Sequence, residues 1–344
     1  MTDELPRAAG PAALRGTLRT SPEDFRVTER LNFEPSGAGE HAFLVVEKRG
    51  ANTEWVARQL ARHAGVGPVA IGYAGLKDRH AITRQAYTVH LAGRADPDWS
   101  ALDAEGVRVV SAVRHARKLQ RGALRGNAFE IVVRDVEGDA TAADATLAAL
   151  ARDGAPNYFG EQRFGRERGN VDAALAMFAG RRVQREQRSI LLSAARSALF
   201  NAVLAARVRD GSWREAREGD VFQLDGTGSI FGPEPIDDAL LARVASGDVH
   251  PTGPLWGRGA LRSGGGVAAL ENGVAQAHEA IARGLEAAGL EQQRRALRVR
   301  AAALRHEWRD GALHVAFELP AGAYATTLLA ELGDFADATG IRGA

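Results

Sequence analysis

Four consecutive residues, Lys77-Asp78-Arg79-His80, are the first place in this 344-residue chain to look for chemistry. An aspartate between two cations, at the end of a strand-like run and close to a glycine, is suited to act as a carboxylate. Neighbouring positive charge favours the ionised form, and glycine lets backbone or ligand approach closely. Such a group serves as nucleophile or base on an anionic substrate whose phosphates the same cations attract. The other reading is a surface turn with solvated charges, and these four residues alone do not separate the two.

A second segment runs from Arg114 to Arg125. Arg114, Arg117, Lys118, Arg121 and Arg125 put five permanent positive charges into twelve residues with no acid among them. A run of this kind can neutralise several phosphates along one groove, or form an exposed basic face with no partner. Asn127 and Phe129 follow. In a strand their side chains share one face, where an amide can bond a pyrimidine edge and a ring can stack on a base; simple strand packing is the plainer account. A third segment, Asn157 to Gly165, is dense in aromatics and glycine in a chain with only 6% aromatic residues. It reads as hinge packing before RNA contact.

Other chemistries find no support. There is no cysteine, which excludes a disulfide scaffold, a thiolate nucleophile and a Cys-ligated zinc site. The nine histidines lack metal-binding spacing, and no P-loop, strand-linked GxGxxG or GxSxG elbow occurs. The N-terminus lacks the apolar core of a signal peptide, and apolar stretches are interrupted well short of the ~20 residues a membrane span needs. The expectation is a soluble, cytoplasmic protein. Net charge is only +1, so nucleic-acid binding would depend on local clusters. Only Lys48, Lys77 and Lys118 are lysine, leaving 41 arginines among 44 basic residues, a bias that suits a GC-rich genome.

The elements that must position these residues are α+β in pattern. Strands are expected at 41–48, 69–73, 85–91, 107–113 and 129–136, with a helix at 54–63 entered through Asn52-Thr53 and another at 142–152. From Pro156 the texture turns helical, over 170–180, 189–209, 235–246, 270–288 and 290–299, with Asn170 and Ser189 as caps and Gly-rich, strand-poor connections between. Strands at 306–309 and 312–319 flank Asp310-Gly311, a hairpin turn signal, and a last helix covers 324–333. Strand-rich ends around a helical middle suggest one domain inserted into another.

Eight segments in order resemble the TruD family of transfer RNA pseudouridine synthases. They are Ser21–Val27, Gly39–His41, Asn52-Thr53, Tyr73–Gln85, Arg117–Leu119 with Gly126–Phe129, Pro156–Gly165, Leu192–Asn201 and Phe317–Thr327. The resemblance implies a pseudouridine-synthase catalytic domain with a mixed or antiparallel sheet flanked by helices, built from 1–154 together with 304–344. A family-specific, largely helical α+β insertion would occupy 155–303. It implies that Asp78 is the essential carboxylate and that Phe25, Asn127 and Tyr324 line the uridine site. Tyr324 stands where the family often has Phe. Arg19 is a weaker correspondence, a basic residue near the aspartate. Lys77, Arg79, His80 and Phe129 complete the expected substrate-binding set, with the Arg114–Arg125 cations on the RNA backbone. The implied activity is uridine-to-pseudouridine isomerisation in transfer RNA at uridine 13, with no cofactor required; no metal is expected from the histidine spacing, and the expected state is a monomer. A non-catalytic RNA-binding protein and an N-glycosidase are the rival classes. An intact loop retaining Asp78 disfavours the first, and the long insertion and basic run disfavour the second.

Overall fold

The computed structural model describes residues 5–120, 122–165 and 168–340. The chain enters through β1 (Leu14–Leu18), β2 (Phe25–Leu31) and β3 (His41–Arg49), then α1 (Thr53–His63), β4 (Ile71–Tyr73) and β5 (Ile82–His90). Next come β6 (Val107–His115), the long β7 (Leu124–Gly138) and α2 (Ala140–Asp153). After a short β8 (Ala155–Pro156) follow α3 (Gly169–Phe178), α4 (Arg185–Arg209), β9 (Phe222–Leu224), β10 (Ile230–Phe231), α5 (Asp238–Ser246) and β11 (Val249–Leu255). Then α6 (Gly265–Ala277), α7 (Glu279–Ala287), β12 (Gln293–Ala296) and β13 (Arg298–Val299) lead back to β14 (Ala302–Arg309), β15 (Ala312–Pro320), α8 (Ala325–Leu329) and β16 (Gly333–Asp337).

Chain-terminal strands build one ten-stranded sheet with the order β14-β15-β7-β2-β5-β3-β6, β1 and β16 attached at β7 and β4 at β5. It is mixed: β2 runs parallel to β5 and β1 to β16, while the other pairs are antiparallel. The α+β expectation therefore holds. The β14–β15 hairpin turns at Asp310-Gly311, where φ is +53° and +72°, the left-handed backbone that a two-residue turn of this hand demands.

Cross-strand partners project from the same face of a sheet, so the register shows what each face carries. Phe25, Val27, Phe129, Ile131, Phe317 and Leu319 form an apolar surface covered by α2 and α8. Farther along the same face, Leu44, Val46 and Tyr87 lie under α1, whose Val56 and Leu60 are fully buried. Between these two cores the face is polar. It carries Glu29 opposite Asn127, Thr83 opposite Lys48, and Gln85.

The middle of the chain has its own core around α4, which packs on α3, α6, α7 and β11. By length and composition α4 could cross a membrane, but 67% of its apolar stretch is buried inside the protein. The chain enters and leaves this middle stretch through β8 and β13, paired at Pro156 with Arg298.

Several sequence-based expectations need correction. Residues 290–299 are not a helix: β12 pairs with β11, and Arg294 reaches Glu271 while Arg298 reaches His250. Tertiary pairing overrides the helix propensity of a Gln- and Arg-rich segment. The supposedly strand-poor connections supply β9, β10 and β11 of a four-stranded sheet. Helix 270–288 is two helices that meet at His278, and the last helix is a five-residue piece followed by β16. Asn170 and Ser189 lie inside α3 and α4, not at their caps. Asn52 does hold the N-cap position of α1, but its side chain makes no capping bond.

Candidate active site

The polar strip between the two cores is where the sheet grips the Asp78 loop. Gln85 Nε2 donates to the Gly75 carbonyl at 2.5 Å, and Gln85 Oε1 accepts from Thr53 Oγ1 at 2.9 Å. Thr53 Oγ1 in turn accepts the Lys77 backbone N–H at 3.0 Å. Lys48 Nζ donates to the carbonyls of Ala51 and Asp78, at 2.7 and 2.8 Å, with Lys77 O at 3.4 Å. Lys77 itself turns inward to pair with Glu29 at 2.8 Å, their side chains 5% and 2% exposed. The other Glu29 oxygen accepts the Ala86 N–H at 2.9 Å.

Held this way, Asp78 has both oxygens occupied and still faces a cleft of about 380 Å³. Oδ1 accepts the His80 N–H at 2.9 Å, and Oδ2 accepts from Arg19 at 3.0 Å. Arg19 sits in left-handed backbone, φ +56°, just after β1. Its guanidinium also bonds Asp337 and lies 4.0 Å above the Phe25 ring. Asp337 ends β16, the strand paired with β1, so the two chain ends together orient Arg19. The cleft wall adds Leu76, Arg79 and His80 from the loop, and Asn52 and Gln162 from opposite parts of the chain. Three buried polar atoms have no hydrogen-bond partner among the described residues: Arg19 Nε in the cleft wall, and Thr83 Oγ1 and Asn127 Oδ1 on the polar strip, neither of which lines the cleft. Unpaired buried groups are costly, so a ligand in the cleft that satisfied Arg19 Nε would gain from doing so.

The other predicted residues are placed as follows. Phe25 and Phe129 are buried, their ring centres 6.3 Å apart, with Phe317 stacked on Phe129. Neither ring lines the cleft; Phe25 instead supports Arg19. Tyr324 caps α8, its hydroxyl accepting from Arg163 at 3.1 Å and its ring 6.2 Å from Phe159. A Cβ at Gly160 would meet that ring at 3.0 Å, so any larger residue there requires the ring to shift by a few tenths of an ångström. Arg79 is exposed and donates to Gly50 O.

Of the basic run, Arg114 is already committed: it pairs with Asp96 at 2.7 Å and donates to Arg94 O. Arg117, Lys118 and Arg125 are exposed, with Lys118 bonded to Val69 O, and Arg121 lies outside the described residues. Leu119 fixes this segment in a small core with Phe43, Ala74 and Ala86, on the face of the sheet opposite Gln85 and Leu44.

Sequence reasoning missed Glu29, Lys48, Asn52, Gln85, Gln162, Asp337 and Thr339. Two left a usable trace. Lys48 is one of three lysines, and Gln162 belongs to the aromatic and glycine segment read mainly as a hinge. Asn52 and Gln85 fall inside segments that resemble the family, without a site role being read from them, while Glu29, Asp337 and Thr339 come from positions far apart in sequence that no local pattern marks.

Among the described residues no three His, Cys, Asp or Glu side chains are grouped to hold a metal. A carboxylate bonded by a guanidinium and a backbone N–H, with Asp337 on the same arginine, is suited to acid–base or nucleophilic work. The chain belongs to the TruD family: the model described as tRNA pseudouridine synthase D (TruD) matches residues 8–177 and 173–332. Similar proteins include tRNA pseudouridine synthase D of Xanthomonas axonopodis pv. citri (52% identical, covering 98% of this chain and 96% of the relative). That of Methylococcus capsulatus is 51% identical, with 97% and 95% covered. A crystal structure from Methanosarcina mazei titled for the same family shares the fold, with a TM-score of 0.73, 23% identity and 95% of each chain covered.

Proposed function

We propose that this chain isomerises uridine to pseudouridine in transfer RNA, at uridine 13, with Asp78 as the essential carboxylate. Family membership supports the enzyme class. The observation that carries the residue assignment is the Asp78 carboxylate, bonded by Arg19 and the His80 N–H and open to the cleft. The reaction breaks the uracil N1–C1′ bond, turns the base and rejoins it through C5, with no net redox change. The uridine must first leave its stack, at a cost of a few kcal/mol recovered from contacts in the site.

In this reading Asp78 either attacks the substrate covalently or removes a ribose proton, and Arg19 balances the charge that moves. Asn127, with its unpaired buried oxygen, reads the base edge. Phe25 and Phe129 act from beneath the cleft, Phe25 through Arg19, while Tyr324 offers a ring beside Arg163, and Lys77, Arg79 and His80 shape the loop beside the base. Arg117, Lys118, Arg121 and Arg125 attract the RNA backbone, with Arg114 supporting them. The chain's own side chains suffice, without metal or cofactor, in a cytoplasmic monomer. The division into 1–154 with 304–344 and an inserted 155–303 is part of the same reading. Its support is the separate cores and the paired crossing at β8 and β13.

Tritium release from C5-labelled uridine in transfer RNA tests the proposal. Wild type is expected to release label from uridine 13 and Asp78→Asn to release none. No release by wild type from any RNA would falsify the enzyme reading, and release confined to another uridine would replace the position.

A further inference from the structure

Lys48 is 1% exposed, and among the described residues its ammonium has no carboxylate partner. Its protons go to three backbone carbonyls, those of Ala51, Lys77 and Asp78. A buried cation is costly unless every donor is satisfied, and three converging carbonyls satisfy an ammonium. They would not suit a planar guanidinium with five donors. In a chain with 41 arginines this is one of only three places where lysine stands.

The charged groups facing Lys48 are few. Asp78 and Lys77 come from the loop, Lys77 is neutralised by Glu29 of β2, and Asp78 is bonded by Arg19. On β6 its cross-strand neighbour is Val107, and α1 presents Thr53. Burial pushes the Lys48 ammonium down from the ordinary 10.5 to about 8, the negative charge of Asp78 opposing this and Lys77 adding to it.

We propose that Lys48 is the positioning residue for Asp78: its buried ammonium fixes the backbone at 51, 77 and 78, which aims one carboxylate oxygen at the His80 N–H and the other at Arg19. This rests on Asp78 being the essential carboxylate. Lys48 touches no substrate, so its loss lowers turnover and leaves RNA binding alone. Deprotonation withdraws one donor and the charge, so turnover falls as pH rises through about 8. Because the folded value lies below the ordinary one, the lysine's own contribution to stability grows between about 8 and 10.5, and the loss of rate there is not unfolding.

The test uses full-length wild type, Lys48→Gln, Lys48→Arg and Asp78→Asn, with kcat, KM, transfer RNA affinity and the pH dependence of kcat measured for each. Lys48→Gln is expected to lose about a hundredfold in kcat, the usual consequence of a misplaced catalytic group. Its KM and transfer RNA affinity should stay within about threefold of wild type, since uniform binding is untouched. Lys48→Arg should not restore the rate. With only three lysines, ε-carbon-labelled lysine gives three NMR signals, and one is expected to titrate near 8 together with the alkaline limb of kcat. If the glutamine variant fails to fold, the wild-type limb and the NMR titration still decide. Full activity in Lys48→Gln beside an inactive Asp78→Asn overturns the positioning role, as does a parallel loss of affinity and rate, or the absence of a lysine titrating near 8. An active Asp78→Asn overturns the underlying assignment instead.

Discussion

Buried charge is used in opposite ways in the middle segment and in the cleft. In the middle segment Arg207 meets Asp220 through two bonds of 2.8 and 3.0 Å, both side chains at most 2% exposed. Arg294 and Glu271 form a similar closed pair at 4% and 1% exposure. In the cleft, Arg19 also holds an aspartate, but Asp78 is 21% exposed and Arg19 keeps an unpaired Nε. A closed pair has nothing left to offer a substrate, so its role is to tie elements together. An open pair with an unsatisfied donor still has hydrogen-bonding capacity to offer a ligand.

The largest expected effect is on the open side. Asp78→Asn should reduce tritium release by on the order of 10³-fold or more, the scale on which positioned acid–base groups act. Denaturant unfolding should show little change in stability. Next comes Arg207→Ala, which strands Asp220 in the core and should cost about 3–5 kcal/mol in the same unfolding assay. At temperatures where that variant stays folded, turnover should be normal; a lost kcat there would break the contrast. Arg19→Leu is expected to reduce kcat by about 10²-fold, as removal of one preorganised donor does. If it weakened only transfer RNA affinity, Arg19 would be a phosphate contact and the open pair a coincidence. The smallest effect belongs to Arg117→Gln, which should lower the slope of log affinity against log salt by about 1 with kcat unaltered. The same change at Arg114 should do less, because Asp96 already neutralises it.

Much of the frame was legible in the chain. The β-branched and aromatic run of β3, the helix over 54–63 and the turn at Asp310-Gly311 follow from local propensity, periodicity and backbone chemistry, and these depend on neighbours in sequence. The middle segment was legible only in its helices. Its strands are short and glycine-interrupted, and 290–299 carries residues that form helices when nothing else claims them. What claims them is β11 on one side, with Glu271 and His250 waiting for Arg294 and Arg298.

By itself the sequence determined the family, the loop around Asp78 and the run of cations from Arg114 to Arg125. Tertiary structure alone decided which cations of the loop and the run are free, since Lys77 is spent on Glu29 and Arg114 on Asp96. It alone brought Lys48, Gln162 and Asp337 to the loop, from three distant stretches of chain. The physical reason is the reach of the forces involved. Propensity and alternation act over a few residues, whereas each buried polar group must find a partner wherever the folded chain provides one.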